Sequence, residues 1–372
     1  MDAVSPTLSP RQRGRAPAAT AQPVTLALQG GGALGAFSWG VLDRLLEEPR
    51  LRIAVASGAS AGAMNAAMLV QGLATGGPRE GAAEARRLLE AFWRRVAVAA
   101  GSPDLDGAAW LRPFFGVFGT VADALRHAAK ELPPARLAPL GPNPLRGVLN
   151  GLLDPSVFGQ AGAPTLVVSA TRVRTGEARL FWDAEVTADV LLASACLPQV
   201  FPPVEIEGEA YWDGGYASNP PLRPLIEAGA PADVILVPTG PMERPEPPHG
   251  AADIRERSAE IAFGTALRLE LRSLAMAQRL LAELPEPPPA GTGLARLREA
   301  RLHVIGAEEA FRALPGGSAL DARWDALRRL RDLGRGSAEG WLEENLEAVG
   351  TRPSFDLARF ARPAVEIHGE GG

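Results

Sequence analysis

The stretch LRIAVASGASAG, Leu51 to Gly62, decides the fold. Its first half is an apolar, β-branched run around Ile53 to Ala56, and its second half is the pentapeptide Gly58-Ala59-Ser60-Ala61-Gly62, followed by the helical run GAMNAAMLVQGL. Composition alone would place a G-x-S-x-G match in such a chain about 0.2 times, so its position carries the weight. Between a strand and a helix, the pattern describes a sharp turn that projects the serine Oγ from the sheet, where flanking glycines avoid Cβ collisions. Ala59, Ala61 and Ala63 keep the surroundings small. At a helix N-terminus, Ser60 also feels the positive end of the macrodipole, which favours an anion formed there. The plainer alternative is a serine N-cap in a tight turn.

One strand earlier, LALQGGGALGAF, Leu26 to Phe37, carries Gly30, Gly32 and Gly35 in a G-x-G-x-x-G spacing. A dinucleotide site needs an acidic residue ending the second strand, and that strand ends in small residues instead. No Lys-Ser/Thr pair follows the glycines, so a P-loop fails as well. Backbone without side chains lets N–H groups approach a developing negative charge, and Gly30 to Gly32 sit where such donors are needed. A nucleotide-binding module, or an interaction protein that keeps the scaffold, stands as the alternative.

A serine nucleophile needs a base. The four histidines, His127, His249, His303 and His368, occupy helical, connector, strand and tail contexts, and His303 is the best placed of them. The stronger candidate is Asp213 in YWDGGYASNPPL, Tyr211 to Leu222, where Gly214 and Gly215 permit a tight turn beside the serine. A carboxylate is a weak base at its ordinary pKa of about 3.9, so burial or an apolar setting from Tyr211, Trp212 and Tyr216 would have to raise it. The plainer reading is an Asp-Gly turn.

Further strand-like runs fall at Val24–Leu28, Thr165–Ser169, Arg179–Trp182, Asp233–Val237 and Leu302–Ile305, with helical patterns between them. Phe37, Val41, Leu42, Leu45 and Leu46 make one apolar helix face. This alternation predicts an α/β fold with a largely parallel sheet. Arg174 to Glu177 reads as a hairpin turn. We divide the chain into a disordered tail over 1–22, a catalytic α/β core over 23–240 and a mostly helical C-terminal portion over 241–372. The proline-rich PMERPEPPHG, Pro241 to Gly250, marks the second boundary, and PEPPPAGTG interrupts the helices that follow.

A chain of 372 residues, 46% hydrophobic and 22% charged, buries a sizeable core, and its net charge of −5 argues against a nucleic-acid surface. The single cysteine, Cys196, excludes an intrachain disulfide framework and fits a reducing compartment. The first 22 residues have no apolar signal region, and no run is long enough to span a bilayer. An aromatic cluster in AWLRPFFGVFG, Ala109 to Gly119, reads as buried core or as a lid over an acyl chain.

GGGALG at 30–35, GASAG at 58–62 and DGG at 213–215, in that order, with ASACLPQVFPPV at 193–204, resemble the motifs of the patatin-like phospholipase family, its bacterial acyl hydrolases in particular. The resemblance covers about Val24 to Ile226. It implies a three-layer α/β/α fold with a mostly parallel sheet, and a serine acyl hydrolase of the phospholipase A or lipid esterase type. In that reading Ser60 is the nucleophile and Asp213 is the base for the serine and then for water, without histidine. Amides of Gly30, Gly31, Gly32 and Ala61 form the oxyanion hole, and Gly35, Gly58, Gly62, Gly214 and Gly215 are motif glycines. No metal and no cofactor are implied. The expected partners are a lipid or other acyl ester and a peripheral membrane contact, with a cytoplasmic location reaching the inner membrane surface. Many relatives carry Arg or Lys after the glycines and Thr before the nucleophile, where this chain has Ala33-Leu34 and Ala59.

Overall fold

The computed structural model describes residues 21–101, 143–198 and 200–361. The aromatic stretch 109–119, His127, His368 and nearly all of the N-terminal tail lie outside the described residues. Eight strands form one sheet: β1 (Gln22–Leu28), β2 (Leu51–Gly58), β3 (Thr165–Arg172), β4 (Ala178–Trp182), β5 (Val204–Ile206), β6 (Glu209–Asp213), β7 (Asp233–Val237) and β8 (Arg301–Val304). The helices are α1 (Gly35–Leu45), α2 (Ala61–Ala99), α3 (Pro144–Leu149), α4 (Ala188–Ser194), α5 (Arg223–Ala228), α6 (Ala251–Ala282), α7 (Gly293–Glu299), α8 (Glu308–Arg312) and α9 (Trp324–Asn345).

The parallel order β3-β2-β1-β7-β8 places β1 at the centre. The last five residues of β1 and all of β7 are buried, as strands covered on both faces must be. One face carries α1, α2 and α9 over Leu26, Leu28, Ala56 and Ile235. The other carries α5, α6 and α7 over Ala27, Leu236 and Leu302. The chain therefore has the α/β/α layering expected from its alternating pattern.

Some elements escaped the sequence pattern. β5 and β6 are short antiparallel strands whose residues do not alternate cleanly, and β6 is held by pairing with β3 rather than by its own propensity. α2 is two helical arms: Gly77, at φ +60°, breaks the helix before Pro78, and the second arm folds back so closely that a Cβ on Gly72 would strike the Ala85 backbone. The hairpin joining β3 and β4 turns through Gly176 at φ +74°, as the Thr-Gly pair suggests.

The helical C-terminal portion shares the sheet through β8, which pairs with β7. Its α9 buries Leu327, Leu330, Gly334, Ala338 and Trp341 on a stripe three and four residues apart. Gly334 lets α9 approach α1 so closely that a Cβ there would strike the Phe37 carbonyl.

Candidate active site

β3 is the ruler that assembles the site. On one edge it pairs with β4 throughout, so β2 and β6 share the other edge. Gly58, the last residue of β2, pairs with Val168, and Asp213, the last residue of β6, pairs with Ala170 two positions further along. Ser60 lies two residues beyond Gly58, so the register brings it to Asp213 across 153 positions of chain.

The turn after β2 has the geometry the pentapeptide suggested. Ser60 adopts φ 52°, ψ −125°, a conformation that costs a non-glycine residue of order 1–3 kcal/mol and persists only where surroundings impose it. A Cβ on Gly58 would run into the backbone of Gly62, and one on Gly62 into the Leu28 carbonyl. The Ser60 side chain does not cap α2. Its hydroxyl is hydrogen-bonded to the Asp213 carboxyl instead, and its backbone N–H donates to Ser194 Oγ at 2.9 Å. Ser60 remains partly exposed, whereas Asp213 is 1% exposed.

Asp213 combines the turn and a buried carboxyl beside Ser60 in one residue. Its Oδ1 accepts the Gly215 N–H at 2.7 Å, and its main-chain carbonyl accepts Thr171 Oγ1–H at 2.8 Å. Burial pushes its carboxyl pKa up to about 7, only partly offset by the hydrogen bonds from Gly215 and Ser60. Tyr211, on the same strand face, packs edge-on to Phe181, and Tyr216 packs on Phe263 of α6. Gly214 lies tight against the Ser169 carbonyl and Gly215 against Phe263, so neither position has room for a side chain.

The glycine loop follows β1 and runs between the C-terminal ends of β2 and β7, the crevice where open parallel sheets hold their ligands. A Cβ on Gly30 would stand 2.8 Å from Ser60 Cβ, which shows how close the loop lies to the elbow. Gly35 packs against Ala61 and Trp93. The amides of Gly31, Gly32 and Ala61 have no hydrogen-bond partner among the described residues. Gly30 must be corrected as a donor: its N–H is bonded to Asn219 Oδ1 at 2.7 Å.

His303 is occupied elsewhere. Its Nε2 lies 3.1 Å from Asp233 Oδ1 and its Nδ1 2.9 Å from Ser354 Oγ. Asp233 opens β7 and Ser60 follows the end of β2, so this cluster is held at the opposite edge of the parallel strands. His249 is exposed in the proline-rich connector. Cys196 is buried, its Sγ–H faces the Pro202 carbonyl at 3.1 Å, and burial with the nearby Asp213 charge raises its pKa to about 11.

Four residues of the site had no role in the sequence reading: Ser194, Asn219, Thr239 and Gln29. Ser194 and Asn219 lie inside motif stretches, but only contacts from other strands reveal what their side chains do. Thr239 and Gln29 follow the C-terminal ends of β7 and β1, and that placement was the available signal.

A sequence model of the patatin-like phospholipase family matches residues 26–226, more than half of the chain and all of the motifs above. The chain belongs to the patatin-like phospholipase family, whose members are lipid acyl hydrolases. Among solved structures, VipD from Legionella pneumophila is similar over 87% of this chain and 67% of its own, at 18% identity and a TM-score of 0.38. No functionally curated protein matches the chain.

Proposed function

We propose that the protein hydrolyses lipid esters through a Ser60–Asp213 dyad and a covalent acyl-serine. The observation that carries this reading is the hydrogen bond from a strained, accessible serine to a fully buried carboxyl whose pKa is raised to about 7. Asp213 takes the hydroxyl proton as Oγ bonds to the ester carbonyl carbon. The carbonyl electrons move onto oxygen, and the Gly31, Gly32 and Ala61 amides receive that oxyanion at the positive end of α2. Collapse expels the alcohol, which takes the proton back from Asp213. Water, deprotonated by the same carboxylate, then releases the acid and restores Ser60.

The test is labelling of the folded protein by a fluorophosphonate probe, with the adduct located by peptide mass spectrometry. Labelling at Ser60, lost in Ser60→Ala and reduced at least a hundredfold in Asp213→Asn, is the expected outcome. An unlabelled, folded wild-type chain would sink the reading.

No helix among the described residues is long and apolar enough to cross a membrane. We infer that a lipid surface is met peripherally along the outer face of α6. Ile254, Ile261, Leu269, Met276 and Leu280 are each about half exposed there, seven or eight and then four residues apart, which aligns them along one stripe. Arg272 and Arg279 fall on the same stripe, exposed, and no ion pair is formed by either among the described residues. Guanidinium groups among apolar side chains suit an anionic lipid surface, where the stems bury and the charges reach headgroups. On its inner side the same helix packs Phe263 against the turn that carries Asp213.

A further inference from the structure

Gly30, the first residue of the glycine loop, is held on both sides, through the peptide that precedes it and the peptide that follows it. Asn219 Oδ1 accepts the Gly30 N–H at 2.7 Å, and Thr239 Oγ1–H donates to the Gly30 carbonyl at 2.7 Å. Both side chains are buried, Asn219 at 0% and Thr239 at 4% exposure. Each is itself anchored. The Asn219 amide Nδ2–H donates to the Phe263 carbonyl of α6 at 3.2 Å, and the Thr239 N–H donates to Gln29 Oε1 at 2.9 Å.

A trans peptide is planar, so its N–H and C=O point in opposite directions. The carbonyl of Gly30 and the N–H of Gly31 belong to one such unit. Fixing the carbonyl on Thr239 therefore fixes the direction of the Gly31 amide. With glycine on both sides, that unit has no Cβ to oppose its rotation, and turning it over would exchange a donor for a carbonyl oxygen. Such an exchange would set a partial negative charge where an oxyanion has to form.

We propose that Asn219 and Thr239 are positioning residues that fix the two peptides flanking Gly30, Asn219 the Gln29–Gly30 unit and Thr239 the Gly30–Gly31 unit, so that the Gly31 amide, and with it Gly32, faces the space beside Ser60. This rests on the acyl-transfer reading above. Asn219 reaches the loop from the chain that also carries Asp213, and Thr239 from the turn that follows β7, the strand on the far side of β1. The clamp thus ties the base, the oxyanion loop and the central strand into one rigid frame. Neither side chain touches substrate; both act through backbone.

The experiment uses the full-length chain with Thr239→Val, Thr239→Ser and Asn219→Ala, each checked for folding by circular dichroism. Hydrolysis of a short-chain ester and of its thiono analogue is measured. Valine keeps the packing under Gly31 but removes the donor, so kcat should fall about ten- to a hundredfold while KM stays within about twofold, less than the loss for deleting a donor outright. Thr239→Ser keeps the hydroxyl and should restore kcat to within about threefold. The loss should be larger for the oxo ester than for the thiono ester, because sulfur gains little from the amides. Asn219→Ala, which frees the preceding Gln29–Gly30 peptide, should show the same pattern, which keeps the test open if the valine variant fails to fold. Wild-type kcat in both variants, a serine variant as impaired as valine, or equal losses on the two esters would overturn the clamp while leaving the acyl-transfer reading intact. A folded wild-type chain that neither labels at Ser60 nor turns over ester overturns that reading and the clamp with it.

Discussion

Asp213 carries opposite consequences for activity and for stability. In the proposed mechanism it acts as a base in its ionised form, so kcat/KM on a short-chain ester should rise through an inflection near pH 7 and level off above it. An inflection near pH 4, the ordinary carboxyl range, would show that burial does not tune this group. For stability the sign reverses. The folded state keeps the proton between about pH 4 and pH 7 while the unfolded chain has released it, so the native state binds more protons and stability falls with rising pH across that window. Three pKa units correspond to a penalty on the order of 4 kcal/mol above pH 7. Asp213→Asn should therefore be inactive yet more resistant to urea than wild type at pH 8, and the two should converge at pH 4. On the proposed mechanism, this is the stability cost of function, concentrated in one side chain.

Among the elements, the elbow was legible because its constraint is local: a strand, a small-residue turn and a helix must follow one another for the pentapeptide to make sense. Asp213 was legible as a candidate through its glycines, but β6 was not, because its place depends on the far half of β3. The glycine loop was read as a set of donors, and Gly30 was included because nothing local distinguishes its amide from those of Gly31 and Gly32. Asn219, 189 residues away in sequence, makes that distinction. α6 falls in the C-terminal portion expected to be mostly helical, and its outer stripe makes a separate prediction. Leu269→Ser with Met276→Ser should abolish co-sedimentation with vesicles containing anionic phospholipid and leave short-chain ester hydrolysis unchanged. Arg272→Glu with Arg279→Glu should remove the preference for anionic over zwitterionic vesicles. Unchanged binding in both pairs, or a shift from dimer to monomer without any vesicle binding in wild type, would show that the stripe serves something else.

At the scale of the whole molecule, the two edges of the parallel sheet have different work. The C-terminal edge holds Ser60, Asp213 and the glycine loop. The opposite edge holds Asp233, which Arg301 meets with two hydrogen bonds, His303 with one and the Gly350 amide with one at 2.9 Å. Burial would raise this carboxyl, but its hydrogen bonds to His303, Arg301 and Gly350 outweigh that and hold it well below the usual range. Its contribution to stability is present above about pH 4 and is lost as pH falls. Because these partners belong to β8 and the segment after α9, the cluster fastens the C-terminal portion to the core. Asp233→Ala leaves Arg301 uncompensated and should cost about 3 kcal/mol in urea unfolding, with kcat/KM at pH 8 unchanged. A loss of activity without a loss of stability would contradict this division of the edges.

The sequence by itself determined the strand-turn-helix at Ser60, the glycine loop and the layered α/β class, and it put Asp213 forward as a candidate, since each rests on spacing within a few residues. Tertiary structure alone decided which amides remain free, where Asp213 stands relative to Ser60 and how far its carboxyl is lifted from its ordinary pKa. Those properties are set by strand register and by exclusion of water, and both arise only when residues remote in the chain are packed together.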